Sequence, residues 1–160
     1  MKAIHYKPIG IIHSPFKTRA GMPIQPAGAK GVQGTVTINR DYFEGLKDLE
    51  GFSHLILIYH FHLSTDFSLS VTPFMDDKPR GVFATRAPKR PNPIGLSVVQ
   101  LNRIEANTLF IENVDIIDKT PLLDIKPYVP AFDVFKNVKA GWLTGKEKTL
   151  PPIKSDNRFS

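Results

Sequence analysis

The amino-acid sequence predicts a mainly β protein, built as a small barrel or sandwich, and three observations lead to this prediction. The 14 prolines and 11 glycines divide the chain into short segments and leave little room for long helices. Several segments alternate apolar with polar residues or are rich in β-branched and aromatic residues, which is typical of strands. One segment alone has a persuasive helical pattern. A doubly wound sheet, which needs helices between its strands, is therefore not favoured.

The individual strands are predicted from these local patterns. In 34–39 threonine alternates with valine and isoleucine, and 53–63 is a dense β-branched and aromatic run that predicts a central strand. The full set of predicted strands is 6–13, 34–39, 53–63, 81–85, 96–104, 108–113 and 114–117. A helix is predicted over 41–49, where Asp41 and Glu44 have the spacing of a capping box.

The chain is long enough for one domain, which we expect to cover residues 1–145. Residues 14–30 are rich in glycine, proline and alanine and predict a long loop, and loops of this length are usually functional or disordered. Residues 146–160 are polar and contain prolines, so they predict a mobile C-terminal tail.

The composition narrows the class of protein. There is no cysteine, which excludes disulfides, thiolate nucleophiles and cysteine-ligated metal sites. No apolar run reaches membrane-spanning length and no signal peptide is evident, so a cytoplasmic protein without a membrane partner is expected. The formal charge of +6 favours a polyanionic partner such as nucleic acid. Many basic proteins bind no nucleic acid, and that alternative stays open.

The densest unusual segment is the proline–arginine loop, residues 86–97. Its prolines stiffen the backbone, and its cations Arg86, Lys89 and Arg90 could hold a carboxylate or phosphate. Gly95 allows a close approach of the backbone or a positive φ. The alternative is a solvated basic turn on the surface.

A second candidate cluster lies in residues 120–128, which are predicted to leave a strand and begin a loop. In an extended chain Asp124 and Lys126 share one face, because side chains two apart point the same way. With Tyr128 they could orient a sugar or an exocyclic amine. A structural ion pair is the alternative.

Two histidines, His60 and His62, would share one face of the strand over 53–63. They could contact a ligand or belong to the core. A metal site is not expected, because no third ligand is evident. The sequence also contains no glycine-rich nucleotide motif and no hydrolase or zinc-protease motif, so a cofactor site would have to be built from loops that join strands.

Several long motifs, in one order, resemble the TsaA-like family, also called the TrmO family, of S-adenosylmethionine-dependent tRNA adenosine N6-methyltransferases. The matching segments are 9–16, 45–62, 84–101, 115–130 and 140–142. The resemblance implies a single-sheeted small β-barrel with one or two short helices and long ligand-binding loops, near the interface of a homodimer. It is closest to the short form of the family, which has no further C-terminal domain.

The resemblance also implies which residues contact S-adenosylmethionine. These are Gln25, Pro26, Ala27, His62, Leu63, Arg86, Leu96, Thr120, Pro121, Leu122 and Leu123. Arg86 would pair with the methionine carboxylate of the cofactor. Asp124 would accept a hydrogen from N6 of the adenine, with Lys126 orienting it and Tyr128 stacking on or bonding the base.

The implied substrate is a threonylcarbamoyl-modified adenosine next to the anticodon of a tRNA. Lys89 and Arg90 would contact RNA phosphates, although Arg90 could instead brace its own loop. Two other functions fit the residues: a non-enzymatic RNA-binding barrel, and a methyltransferase that acts on a small molecule.

Overall fold

The computed structural model describes residues 2–146, 154–156 and 159, which form a closed antiparallel barrel. Its strands are β1 (Gly10–His13), β2 (Gln33–Ile38), β3 (His54–His60), β4 (Ser70–Val71), β5 (Arg80–Gly81), β6 (Ile94–Glu105), β7 (Thr108–Glu112) and β8 (Thr120–Pro127). Six of them close the barrel in the order β1-β2-β7-β6-β3-β8, while β4 and β5 form a separate ribbon. The predicted single-sheeted β-barrel is confirmed.

The barrel interior is filled by one face of each strand. In β3 the side chains of Leu55, Leu57 and Tyr59 are buried, whereas Ile56 and Ile58 point outward. The same alternation places branched residues of the other strands inside, because successive side chains of a strand point to opposite faces. The shared core comprises Ile12, Val36, Ile38, Leu46, Leu55, Leu57, Tyr59, Val99, Leu101, Leu109, Ile111, Val114, Ile116 and Leu122.

The prediction of one continuous helix over 41–49 is wrong, because this segment forms no α-helix. The structure has two 3₁₀ helices there, Arg40–Leu46 and Leu49–Gly51, separated where Asp48 has a left-handed φ of 65°. Leu46 alone is buried in the first of them, so no apolar face supports a longer helix. Other 3₁₀ helices are Pro26–Gly28, Val82–Ala84 and Gly141–Leu143, and α1 is one turn, Pro130–Asp133. No helix in the described residues has the length and apolar character to cross a membrane.

Three predicted strands differ from the structure. The strand over 6–13 is confined to β1, since Pro8 lacks an amide hydrogen for the ladder. Most of 81–85 is the 3₁₀ helix Val82–Ala84. Residues 114–117 alternate in burial but belong to no strand, and residues with a left-handed φ, Asn113 and Lys119, lie before and after them.

The segment predicted as a loop over 120–128 is instead β8, which closes the barrel by pairing with β1 on one side and β3 on the other. A register shift opposite Ile58 and Tyr59 makes Leu123 an extra residue, so the period-2 pattern of the segment is interrupted. Pro121 and Pro127 also favoured the prediction of a loop, because proline is uncommon within strands.

Candidate functional site

A cavity of about 750 Å³ opens at one end of the barrel, where β3 ends and β6 and β8 begin. Its walls come from the loop over 14–30, the turn after β3, the proline–arginine loop and the segment between β7 and β8. Trp142, Leu143, Ser155 and Phe159 complete it from the C-terminal part of the chain. This volume is in the range of sites that bind cofactors and other small molecules.

Most of the predicted cofactor residues meet in this cavity, although they are far apart in sequence. The lining includes Gln25, Pro26, His62, Leu63, Arg86, Leu96 and Thr120. Ala27, Pro121, Leu122 and Leu123 are not part of the lining. Leu122 is fully buried and packs in the barrel core, so its side chain faces away from the cavity.

His62 and Thr120 contact each other in the cavity wall, where 3.3 Å separates the threonine Oγ1 from the histidine Nδ1. His62 lies beyond the end of β3, since its amide donates to the carbonyl of His60 in a tight turn. Partial burial, and then the neighbouring His60 and Arg19, lower the pKa of His62. The imidazole is therefore neutral near pH 7 and available as a hydrogen-bond partner.

Arg86 is an exposed cation at the wall of the cavity. Its charge acts on two groups of the cavity floor, because it lowers the pKa of both Asp115 and Tyr59 relative to the effect of burial alone. A guanidinium in this position can bind a ligand carboxylate through paired hydrogen bonds.

Arg90 makes the contacts of a loop brace. Its Nη1 donates to the carbonyls of Val82 (3.1 Å) and Thr85 (2.8 Å), and its guanidinium lies 5.8 Å from the ring centre of Phe83. Lys89 Nζ lies 3.4 Å from Asp66 Oδ2 and keeps about a fifth of its side chain exposed. Contact of either residue with RNA stays a prediction.

Asp124, Lys126 and Tyr128 are not part of the cavity lining. Asp124 and Lys126 do share one face, and their Oδ2 and Nζ atoms are 2.7 Å apart, with both side chains about half exposed. Tyr128 lies at the opposite barrel end, where its amide donates to the carbonyl of His54 at the start of β3. Within one chain, these three residues and Arg86 do not line a common cavity.

The floor of the cavity contains a hydrogen-bonded group that the sequence analysis missed. Ser97 Oγ donates to Asp115 Oδ1 over 2.6 Å, and 3.0 Å separates Ser97 Oγ from the hydroxyl of Tyr59. Because the serine hydrogen is used toward Asp115, the tyrosine must donate to the serine. The signal in the sequence was a lone carboxylate inside the alternating apolar run 114–117.

The surroundings strongly shift the pKa values of Asp115 and Tyr59, the two acidic groups on the cavity floor. Burial raises the pKa of Asp115 to about 6, against the lowering effects of Ser97 and Arg86. Burial and the Asp115 charge raise the pKa of Tyr59 well above its ordinary value, so the phenol stays protonated. Asp115 is thus a carboxylate that gains and loses a proton near neutral pH, in a cavity that can hold a ligand.

Gly95 is required by the position of Tyr59. The two residues are opposite each other on β6 and β3, and a Cβ at position 95 would lie 2.2 Å from the tyrosine ring. The predicted close approach at this glycine is confirmed; its φ is not positive.

The C-terminal tail predicted as mobile packs on the cavity in its described part. Phe159 is buried against Phe74, with ring centres 5.0 Å apart, and its carbonyl accepts a hydrogen bond from Arg19. Ser155 bonds to the backbone of Met22 and Arg19, and Pro23 forms a bridge with Lys154. Residues 147–153 lie outside the described residues.

The donors of the cavity suit a charged nucleoside cofactor more than a metal ion. The described residues contain no group of three or more metal-ligating side chains. Arg86 can hold a carboxylate, Asp115 can face a cationic centre, and Phe61, Leu63 and Leu96 offer apolar surface for an aromatic ring. These features fit S-adenosylmethionine, which carries a carboxylate, a sulfonium and an adenine.

Comparison with known proteins points the same way. The family of tRNA-methyltransferase O N-terminal domains matches residues 11–134. A probable S-adenosyl-L-methionine-binding protein of Pyrococcus abyssi is 56% identical over 98% of this chain and 85% of its own length. The tRNA (adenine(37)-N6)-methyltransferase of Escherichia coli K12 is 34% identical over 89% of this chain.

The fold also has a solved counterpart. The crystal structure of TrmO from Pseudomonas aeruginosa superposes with a TM-score of 0.74 at 38% identity and covers 88% of this chain. This chain spans 63% of that structure and 65% of the Escherichia coli enzyme. The likeness therefore extends over the barrel domain and leaves part of each longer relative unmatched.

Proposed function

The chain belongs to the family of tRNA-methyltransferase O N-terminal domains, and on that premise we propose that it transfers a methyl group from S-adenosylmethionine to N6 of an adenine in tRNA. One observation carries the proposal. Residues from five separate parts of the sequence, which the resemblance marks as cofactor contacts, converge on one cavity at the barrel end.

The chain's own residues would hold the cofactor in this cavity. When bound, S-adenosylmethionine supplies an activated methyl group on a sulfonium. Arg86 would pair with the carboxylate, and the apolar walls at Leu63 and Leu96 would pack against the adenine. Fixing both reactants in this way can contribute roughly 7–11 kcal/mol to lowering the barrier, through positioning alone.

The proposed substrate is the adenosine next to the anticodon, carrying a threonylcarbamoyl group. Relatives named for methylation of adenine 37, such as the Escherichia coli enzyme, support this assignment. The net charge of +6 favours binding to the phosphate backbone, and Lys89 and Arg90 are the predicted contacts in the proline–arginine loop.

The direct test is incubation of total tRNA with labelled S-adenosylmethionine, followed by analysis of the nucleosides. We expect label in an N6-methylated adenosine from native tRNA, and less or none in an unmodified transcript that lacks the threonylcarbamoyl group. Absence of labelled nucleoside from native tRNA would contradict the proposal. Label that appears in a small molecule without RNA would favour the small-molecule methyltransferase.

Binding of S-adenosylmethionine distinguishes the proposed methyltransferase from a non-enzymatic RNA-binding barrel. A ligand present at 100 times its dissociation constant adds about 2.7 kcal/mol to the stability of the folded protein. The proposal therefore expects a rise in melting temperature with S-adenosylmethionine alone, whereas an RNA binder without a cofactor site would show none.

We further propose that the working unit is a homodimer formed through the outer face of β3 and β6. Ile58 and Leu96 are neighbours on this face, next to the half-exposed Ile94 and Val98. Apolar patches of this kind mark interfaces. Light scattering should give twice the chain mass, and Ile58→Glu should give a monomer with unchanged folded signal. A wild-type protein that is monomeric by light scattering would contradict the proposed homodimer.

A further inference from the structure

We propose that Asp115 is the proton acceptor of the methyl-transfer reaction, placed on the cavity floor and oriented there by Ser97 and Tyr59. This inference rests on the proposed function and deepens it. It assigns to Asp115 the role that the family resemblance led us to expect for Asp124.

Geometry sets Asp115 apart from the other carboxylates near the cavity. It lies between β7 and β8 and lines the cavity together with Arg86 and Thr120. Ser97 donates to one of its oxygens, Oδ1, over 2.6 Å, and Tyr59 donates to Ser97 in turn. A base whose orientation is fixed by a second and a third group is the usual arrangement in acid–base catalysis.

Asp124 lacks this placement within the chain. Asp124 and Leu96 lie on either side of Ile58 on the outer face of the barrel, so two strand spacings, roughly 10 Å, separate the Cα atom of Asp124 from that of Leu96, which lines the cavity. Its Oδ2 is also occupied by Lys126 at 2.7 Å.

The charge state of Asp115 suits a base at physiological pH. Its pKa of about 6 leaves it mostly ionised at pH 7.5, yet more basic than an ordinary aspartate. The charged and titratable groups facing it are Arg86 from the proline–arginine loop and Tyr59 from β3. His62 and Arg19 line the same cavity, and burial lowers the pKa of His62, which favours the neutral imidazole.

The reaction balances with this one base. The N6 lone pair forms the new N–C bond as the S–C bond of the sulfonium breaks, and the electron pair of that bond stays on sulfur as a neutral thioether. The N6 hydrogen passes as a proton to the Asp115 carboxylate, which releases it to solvent after the product leaves. No oxidant, reductant or metal ion is needed.

The test compares Asp115→Asn with Asp124→Asn and with Glu105→Gln, an exposed carboxylate at the other end of β6. With saturating S-adenosylmethionine and native tRNA at pH 8, Asp115→Asn should slow single-turnover transfer at least 100-fold, within the range for general-base catalysis. Its dissociation constant for S-adenosylmethionine, measured by calorimetry, should change less than tenfold. Glu105→Gln should match the wild type.

A readout without turnover tests the same group. Carboxyl ¹³C NMR of the protein without cofactor should show one resonance that titrates near pH 6 and disappears in Asp115→Asn. Ser97→Ala should move this titration to higher pH, because it removes the hydrogen bond that lowers the pKa of Asp115. A purely structural role of Ser97 would not predict that direction.

The outcomes separate the inference from the function it rests on. A wild type that labels no tRNA overturns both. An active wild type with a loss smaller than 100-fold in a folded Asp115→Asn protein overturns the inference alone, as does a tenfold or greater loss of cofactor affinity. If Asp124→Asn slows single-turnover methyl transfer and Asp115→Asn does not, Asp124 is the proton acceptor. Thermal melting of every variant shows that it is folded.

Discussion

At the scale of single residues, the cavity floor shows how one position depends on another. Tyr59 can donate to Ser97 only because Gly95, opposite it on β6, leaves room for the tyrosine ring. The serine then orients the Asp115 carboxylate. A side chain at position 95 would have to displace the ring of Tyr59, which is buried in the core. Gly95 therefore allows Tyr59 to occupy its place on the cavity floor.

Arg86→Ala should weaken binding of S-adenosylmethionine by more than about 1.5 kcal/mol, because a charge-assisted hydrogen bond contributes at least that much. Isothermal titration calorimetry measures the change directly. Arg103→Ala is the matched control, since Arg103 lies on the barrel surface and pairs with Glu105. Equal affinity of the Arg86→Ala protein and the wild type would exclude Arg86 from the cofactor site.

Asp115 should make the stability of the protein depend on pH. Its pKa is raised from 3.8 to about 6 by folding, so the folded state binds the proton more tightly than the unfolded state. The stabilising contribution is complete below pH 3.8 and is lost as the pH rises through 6. Replacing the group with an amide should therefore stabilise the protein at pH 8, by up to about 3 kcal/mol.

Urea unfolding of the wild type and Asp115→Asn at pH 8 and near pH 4 checks this sign. The difference in unfolding free energy should be largest at pH 8 and should shrink at the lower pH. A variant that is less stable than the wild type at pH 8 would show that the ionised carboxylate contributes to folding there.

At the scale of elements, β8 connects the core to the cavity. Thr120 contacts His62 at the cavity, Leu122 is buried in the barrel, and Asp124 points outward. The extra residue at Leu123 makes this change of direction possible within five residues. A strand that closes a barrel removes its exposed edges, so the fold depends on this segment.

Leu122→Ala should lower the free energy of unfolding by about 2–5 kcal/mol, because the side chain is fully buried and leaves a cavity. The neighbouring variant Leu123→Ala, at a half-buried position outside the core cluster, should cost clearly less. Chemical denaturation measures both. Equal losses would mean that the register assigned to β8 is wrong.

At the scale of the whole molecule, positive charge and a ligand cavity occur in one small barrel. The chain carries a formal charge of +6, and the cavity is bordered by Arg19, Arg86 and Arg90. Cations near the cavity mouth would concentrate a polyanion at the proposed cofactor site, since fields from one sign of charge are focused in clefts.

The affinity for tRNA should fall at least about tenfold between 50 and 200 mM salt, because bound phosphates release counterions. Fluorescence anisotropy with labelled tRNA gives the slope of log affinity against log salt. Lys89→Ala should reduce that slope by about one if this lysine contacts a phosphate. A flat salt profile would argue against a phosphate-binding surface.

The sequence alone determined the fold class and named many of the residues that line the cavity. Local patterns identified β2, β3, β6 and β7: β2 alternates apolar with polar residues, and β3 is a dense β-branched and aromatic run. The motif resemblance indicated residues such as Arg86, His62 and Thr120, which do meet in the cavity. Local patterns misjudged β8, where two prolines and an extra residue hide a buried strand.

Only the tertiary structure decided which carboxylate faces the cavity. Asp124 and Asp115 are both polar residues beside apolar neighbours, and the sequence does not show to which side of a closed sheet each points. Barrel closure turns Asp124 outward to Lys126 and brings Asp115 against Ser97. The direction of a side chain in a barrel depends on strand register, and register is set by pairing between residues far apart in the chain.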